Sequence, residues 1–259
     1  MAKLRPKKHL GQHFLRDQRA AARIVEALSV PPETPVAEIG PGEGVLTHRL
    51  RERYPALQVV EIDPDAVTAL KRDFADRLTI VHQDVLTWDM SQGLRQNGAL
   101  IGNLPYNISS PFFFHMLAHH LAVREGVFMI QKEVAKRICA DPGSKIYGLL
   151  SVLIGAYYER QYLFDVPPGA FRPPPKVMSG VIRLERKAVL PKIDFDVLRK
   201  LTKAAFGQRR KTLRNALKAI PLDDHPDWTD IAPQRAEQLP VETFLDLAKF
   251  WEEKKKSES

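Results

Sequence analysis

Val36-Ala37-Glu38-Ile39 runs directly into Gly40-Pro41-Gly42-Glu43-Gly44, a short apolar segment ending in a glycine-rich turn. Glycine lets a backbone turn sharply and approach a ligand without a Cβ in the way. Such a turn between a strand and a helix is where a doubly wound sheet receives nucleotides. The glycine spacing departs from the G-x-G-x-x-G of dinucleotide enzymes. Glu38 and Glu43 also flank the turn, where they would repel a pyrophosphate. Carboxylates here suit a ligand that carries an amino group and a sulfonium, the chemistry of S-adenosylmethionine.

The alternation continues on either side. Strands are expected at 36–40, 58–63, 78–83, 100–102, 127–131, 160–166 and 179–184. Helices are expected at 18–28, 44–53, 65–74, 111–121, 132–139 and 147–157. Near-continuous apolar strands between helices read as a parallel α/β sheet buried on both faces. Ser109-Ser110-Pro111 offers a hydroxyl cap and a first-turn proline to the helix that follows. Phe112-Phe113-Phe114 reads as core packing rather than a cofactor box. From Phe195 onward only helical periodicity remains, punctuated by Pro221, Pro226, Pro233 and Pro240. The expected organisation is a sheet domain over 1–187 and a small all-helical domain over 188–259, with a frayed tail over 252–259.

Several strands deliver a polar residue to the same edge. Glu61 lies 21 positions after Gly40 at the end of the second strand, where an acid characteristically accepts hydrogen bonds from ribose hydroxyls. Asp84 closes the third strand and Asn103 the fourth. Ligands bind at that edge of open α/β sheets.

Asn103-Leu104-Pro105-Tyr106 then supplies an amide, a carbonyl held by a rigid proline, and an aromatic ring. These groups suit a flat base bearing an exocyclic amine. Adenine N6 is a poor nucleophile because its lone pair is delocalised into the ring. The Asn103 side-chain oxygen and the Leu104 carbonyl are placed to accept the N6 hydrogens and localise the lone pair, with Tyr106 stacking on the base. Acceleration would come from orientation and electrostatics rather than from a strong base.

Composition bounds the rest. The chain has 259 residues, 44% hydrophobic and 27% charged, enough for a large domain plus a small one. Its net charge of +8 favours a polyanionic partner. The charge is localised: residues 194–218 hold eight Lys/Arg against two Asp/Glu, and residues 219–259 hold five against ten. Lys3, Arg5, Lys7, Lys8 and Arg16 add a basic arm ahead of the first acid, Asp17. A stripe of this kind suits phosphate contacts. Cys139 is the only cysteine, so an intrachain disulfide and a Cys-based zinc site are excluded, and the thiol is expected in the core. His119-His120 lacks a metal-ligand pattern. The basic N-terminus has no apolar segment of a secretory signal, and no run approaches a membrane span. A cytoplasmic enzyme without a metal, acting as a monomer, is the expectation.

Six motifs recur here in one order. They are Lys8-His9-Leu10-Gly11-Gln12-His13-Phe14-Leu15, the 38–44 turn, Asn103-Leu104-Pro105-Tyr106-Asn107-Ile108-Ser109, Gln131-Lys132-Glu133-Val134, Phe171-Arg172-Pro173-Pro174-Pro175-Lys176-Val177, and Phe206-Gly207-Gln208-Arg209-Arg210-Lys211-Thr212-Leu213-Arg214-Asn215. Together, over nearly the whole chain, they resemble the small-subunit ribosomal RNA adenine N6,N6-dimethyltransferases, the family linked to kasugamycin sensitivity. The resemblance implies a Rossmann-like class I methyltransferase sheet with a small helical C-terminal domain. It implies a role in 30S subunit biogenesis, with 16S rRNA in the subunit or its precursor as partner. Two adjacent adenosines in the 3′-terminal hairpin loop would each receive two methyl groups from S-adenosylmethionine.

Carried over by position, His13, Leu15, Gly40, Glu61, Asp84 and Asn103 would contact the cofactor. Asn103, Leu104 and Tyr106 would handle the base, and Phe171 would stack on its other face as part of a proline-stiffened lip. Base extrusion fits such an aromatic pair. Arg209, Arg210, Lys211 and Arg214 would engage rRNA phosphates. One departure stands out: the family's N-terminal motif most often reads Gly-Gln-Asn-Phe-Leu, and His13 replaces the asparagine here. An imidazole can charge near neutral pH and would then oppose a sulfonium.

Other readings compete. The macrolide-resistance methyltransferases of large-subunit rRNA share the sheet and a similar catalytic motif, but the 171–177 and 206–215 stretches favour the small subunit. An assembly factor whose binding matters more than its methylation fits the basic helix. DNA adenine methylation lacks an added DNA-reading domain, and a dehydrogenase leaves Asn-Leu-Pro-Tyr unexplained.

Overall fold

The computed structural model describes residues 4–257, so Lys3 of the basic arm and Glu258 and Ser259 of the tail lie outside the described residues. The chain groups into two units, Met1–Ala135 with Arg160–Arg186, and Lys136–Glu159 with Lys187–Ser259. The strands are β1 (Phe14–Leu15), β2 (Val36–Ile39), β3 (Gln58–Glu61), β4 (Thr79–His82), β5 (Gly98–Asn103), β6 (Val123–Gln131), β7 (Tyr158–Val166), β8 (Phe171–Arg172) and β9 (Ser179–Arg186). Seven of them form one sheet in the order β4-β3-β2-β5-β6-β9-β7, and β1 pairs with β8 in a separate antiparallel ribbon.

The expected strands are all in the large sheet. β2 is parallel to β3 and β5, β3 to β4, and β5 to β6. The strand order reverses on either side of β2, which makes its C-terminal end a switch point. One expectation fails: the sheet is not wholly parallel, because β9 runs antiparallel to β6. The 167–178 link that joins β7 to its sheet neighbour β9 carries a short 3-10 turn and β8 but no α-helix, so β9 enters the sheet without the helical crossover of a βαβ unit.

Helices α1 (Gln18–Glu26), α2 (Val45–Arg53), α3 (Pro64–Phe74), α4 (Met90–Leu94), α5 (Ser109–Ala118) and α6 (Lys132–Ile138) follow the strands. Asp17 caps α1 by accepting from the Arg19 and Ala20 N–H groups, and Asp63 caps α3 ahead of Pro64. The hydroxyl cap expected for α5 is absent. Ile108 holds the cap position, and the Ser109 hydroxyl donates to the Pro105 carbonyl at 3.3 Å instead. Ile24, Leu50 and Leu70 from the helices meet Val36, Val59, Ile101 and Val127 from the sheet in one buried cluster. Phe112 and Phe113 are fully buried and pack edge-on against Phe128 with ring centroids 5.2 and 5.5 Å away.

The second unit holds α7 (Leu149–Tyr157), α8 (Phe195–Gly207), α9 (Leu213–Ala216), α10 (Trp228–Ile231) and α11 (Val241–Ser257). The sequence predicts a single boundary at 187/188, whereas in the fold Lys136–Glu159 joins the later helices. The reason lies in α7. Every residue from Leu150 to Tyr157 is buried, and a helix that is apolar all round needs neighbours on all sides. Rings on either side of the gap in sequence meet within this unit, Tyr147 with Phe206 and Tyr157 with Phe195. The tail expected to fray is helical to Ser257, with Lys256 bonded to Glu252 at 2.9 Å and Lys254 to Asp224 at 2.6 Å. Cys139 is only half-buried. No helix among the described residues is long and apolar enough to cross a membrane.

Candidate active site

The C-terminal ends of β2, β3 and β5 open into a cleft of about 420 Å³, its mouth included. Gly11, Gln12, His13, Phe14, Gly40, Gly42, Glu61, Asn103, Leu104, Pro105 and Tyr106 line it. An adjoining cleft shares Phe14, Gly40 and Asn103 and adds Leu15, Glu38 and Glu43. Residues up to 95 positions apart, from Gly11 to Tyr106, therefore converge where three parallel strands end beside the N-terminal arm.

The turn after β2 is shaped by its glycines. Gly42 has φ of +53°, and a Cβ there would stand 2.9 Å from the Phe14 ring, so a side chain is excluded on both counts. The Gly42 N–H donates to Glu61 Oε2 at 3.1 Å, and the Asp63 N–H donates to Oε1 at 2.9 Å. With the Ile62 backbone as a further donor, the carboxylate keeps lone-pair capacity for a ligand. Burial raises the Glu61 carboxyl above its ordinary range, against the pull of these backbone donors. Glu38 is buried more deeply, with the Thr47 hydroxyl donating to it at 2.6 Å. Burial pushes its carboxyl up to about 8, and the neighbouring Glu61 charge adds to the rise. Buried carboxylates without a cationic partner mark a place that a cation would relieve.

The N-terminal arm is strapped across this edge. Lys7 Nζ lies 2.5 Å from Asp63 Oδ1 and 2.7 Å from Asp65, and Gln12 Nε2 donates to the other Asp63 oxygen at 2.7 Å. For Asp63 burial acts upward, but the Lys7 and Gln12 hydrogen bonds outweigh it and hold the carboxyl below its ordinary range. Glu43 accepts from the Leu4 N–H and pairs with Arg172. The ribbon of β1 with β8 places Phe14 opposite Arg172 and Leu15 opposite Phe171.

Asn103 and its neighbours are tied from several directions. The Asn103 Nδ2 donates to the His13 carbonyl at 2.9 Å, which fixes the amide so that Oδ1 points the other way. The Leu104 N–H donates to Met129 O at 3.0 Å. Among the described residues no donor meets Asn103 Oδ1 or the Leu104 carbonyl. The Tyr106 hydroxyl shares a 2.7 Å hydrogen bond with Ser179 Oγ, and its ring centroid is 5.6 Å from that of His13. His13 Nδ1 donates to the Pro173 carbonyl at 2.8 Å. Two hydrogen-bond acceptors beside an aromatic face can hold an amine on a flat ring.

The structure gathers most of the expected site residues and sends others elsewhere. His13, Gly40, Glu61, Asn103, Leu104 and Tyr106 share the first cleft, and Leu15 lines the second. Asp84 does not line either cleft. Its Oδ1 accepts the Leu86 N–H at 2.9 Å and shapes the turn after β4. Phe171 corrects a larger expectation: it is 4% exposed and belongs to the buried core cluster, so its ring is not a face offered to a base. Strand pairing with Leu15 turns it inward. Arg210, Lys211 and Arg214 are exposed, but Arg209 is engaged by the Lys145 carbonyl at 2.7 Å and by Glu237 at 3.6 Å.

Sequence reasoning missed Asp63, Ser179, Arg172 and the Pro173 carbonyl. Only the first carried a signal, an acid two places past Glu61 facing a basic arm. The one grouping with metal-ligand spacing among the described residues is His225, Asp227 and Asp246. Both ring nitrogens of His225 are already taken, by Asp246 at 3.0 Å and by the Asp227 N–H at 3.2 Å.

Residues 3–253 match the family described as ribosomal RNA adenine dimethylase. A ribosomal RNA small subunit methyltransferase A from Xanthomonas euvesicatoria pv. vesicatoria (strain 85-10) is 49% identical over 250 residues, covering 93% of this chain and 95% of its own. A protein of the same name from Xanthomonas oryzae pv. oryzae (strain PXO99A) is 46% identical over the same shares. Among solved structures, a dimethyladenosine transferase from Plasmodium falciparum has the same fold, with a TM-score of 0.82 at 23% identity, covering 93% of this chain and 98% of its own. The 23S rRNA methyltransferase ErmE has a TM-score of 0.72 at 26% identity, covering 92% and 99%.

Proposed function

Because this chain belongs to the ribosomal RNA adenine dimethylase family, we propose that it transfers methyl groups from S-adenosylmethionine to N6 of adenosine in 16S rRNA. The substrate is two adjacent adenosines of the 3′-terminal hairpin loop, each taken to dimethyladenosine during 30S biogenesis. The observation that carries this reading is the Asn103 amide, held by the His13 carbonyl at 2.9 Å so that Oδ1 and the Leu104 carbonyl are the acceptors left beside Tyr106.

The cleft fits the cofactor on its own chemistry. Glu61 keeps lone pairs for ribose hydroxyls, and the Gly40 and Gly42 backbone allows close approach. Glu61, a buried acid on the wall of the cleft, disfavours a pyrophosphate there. When bound, S-adenosylmethionine supplies an electrophilic methyl group on a sulfonium.

Asn103 and Leu104 accept the two N6 hydrogens and turn the lone pair out of conjugation. Pro105 holds the Leu104 carbonyl in place, and Tyr106 stacks on the base. N6 forms the new N–C bond as the bond to sulfur breaks with its electron pair kept by sulfur. N6 then loses one proton to water. Orientation of this kind needs no strong base. Arg210, Lys211 and Arg214 present exposed cations for rRNA phosphates. The partner is then 16S rRNA in the 30S subunit or its precursor, and the compartment the cytoplasm.

The likeness to ErmE raises the large subunit as a second substrate. Offering purified protein and labelled donor each subunit from cells lacking the modification separates the two. Dimethyladenosine in the 16S 3′ hairpin, read by mass spectrometry, is the expected result. Subunits in which every adenosine stays unmodified would remove the proposal.

A further inference from the structure

Tyr106 is held from behind by a group outside the cleft. Ser179 is fully buried at the start of β9, opposite Gln131 of β6, and its hydroxyl meets the Tyr106 hydroxyl at 2.7 Å. On the other flank the His13 ring stands 5.6 Å away, tilted by 32°, and is itself fixed by the Pro173 carbonyl. A tyrosine ring turns about two bonds. A hydrogen bond at its far end restrains that swing in a way that packing on a half-buried ring does not.

We propose that Ser179 is a positioning residue that fixes where the Tyr106 ring stands, and that the second methyl transfer to each N6 depends on it more than the first. The inference rests on the function proposed above and follows from counting hydrogens. An unmodified adenine N6 carries two, so both Asn103 Oδ1 and the Leu104 carbonyl hold it, and the base plane is fixed twice over. After one transfer N6 carries a methyl group and a single hydrogen, which can satisfy only one acceptor. The orientation lost there must come from the stack on Tyr106, and the stack is only as well defined as the ring. In the second transfer N6 again forms an N–C bond while sulfur keeps the electron pair, and the last N6 hydrogen leaves to water.

The test uses the full-length protein and 30S subunits lacking the modification, with adenosine, monomethyl and dimethyl products resolved by mass spectrometry over time. Ser179→Ala is expected to slow the first transfer about twofold and the second about tenfold, so monomethyladenosine accumulates. S-adenosylmethionine Kd, measured by calorimetry, stays within about twofold of wild type because the cofactor contacts are untouched. Tyr106→Phe removes the same hydrogen bond from the other side and should reproduce the accumulation even if Ser179→Ala folds poorly. The double variant should be no worse than the singles, since both delete one interaction.

A wild-type ratio of mono- to dimethyl product in both single variants overturns the inference, as does an equal slowing of both steps. Wild-type protein that methylates nothing would instead defeat the function on which the inference rests.

Discussion

Segments 103–106 and 208–214 both face RNA in the proposed reaction, and they are built on opposite plans. In the first, polar atoms are tied: Asn103 to the His13 carbonyl, the Leu104 N–H to Met129 and Tyr106 to Ser179, at 2.7 to 3.0 Å. In the second, Arg209, Arg210, Lys211 and Arg214 all stand exposed, and only Arg209 is tied, to the Lys145 carbonyl and Glu237. The contrast follows from the tasks. Aiming a lone pair tolerates an error of a fraction of an ångström. A phosphate, by contrast, is charged on all sides and can be met by a flexible cation at many angles.

If rigidity is what matters in the first segment, the largest effect is expected there. Asn103→Ala should lower kcat about a thousandfold, roughly 4 kcal/mol of barrier, with the protein still folded and still binding RNA. A variant within tenfold of wild type would mean that the amide is not the acceptor. Phe171→Ala sharpens the boundary of that rigid region. As a core residue it should cost about 3 kcal/mol of stability, read as a lowered urea midpoint. A variant of native stability that failed only on RNA would return Phe171 to the lip.

In the cationic segment, the triple change of Arg210, Lys211 and Arg214 to Ala should weaken rRNA binding by on the order of tenfold to a hundredfold and flatten its dependence on salt. S-adenosylmethionine affinity should not move. An unchanged salt slope would take these residues out of the RNA surface.

The smallest effect concerns Glu38 on β2, the strand beside the one that carries the tied segment. Burial holds its carboxyl at about 8 in the folded chain, against an ordinary 4.5. The fold therefore binds this proton more tightly than the unfolded chain does. The stability it lends is complete below about pH 4.5 and is lost as pH rises towards 8. Across that window the urea midpoint of ligand-free wild type should fall more than that of Glu38→Gln. Parallel profiles would show that Glu38 ionises normally.

Much of the molecule was legible before folding because the signals are local. Apolar runs ending in Glu38–Gly44, Glu61 and Asn103 announced strands that finish at one edge, and Pro105 announced a fixed carbonyl. Other features were hidden because they depend on partners far along the chain. Leu150 to Tyr157 read as one more helix of the sheet domain, yet rings such as Phe195 and Phe206 claim its flanks. Phe171 looked like a lip because three prolines follow it, and its pairing with Leu15 buries it. Asp63 carried a signal as an acid two places past Glu61, but which groups it anchors, Lys7 and Gln12, is settled by chain 56 and 51 positions away.

By itself the sequence determined the order of the seven strands of the large sheet, the glycine turn and the family, since period, turn chemistry and motif order are written residue by residue. Only the tertiary structure decided which groups share the cleft and which remain free to act. Hydrogen-bond capacity is finite, and whether Asn103 Oδ1 or Arg209 is already spent depends on neighbours brought from 90 and 64 positions away.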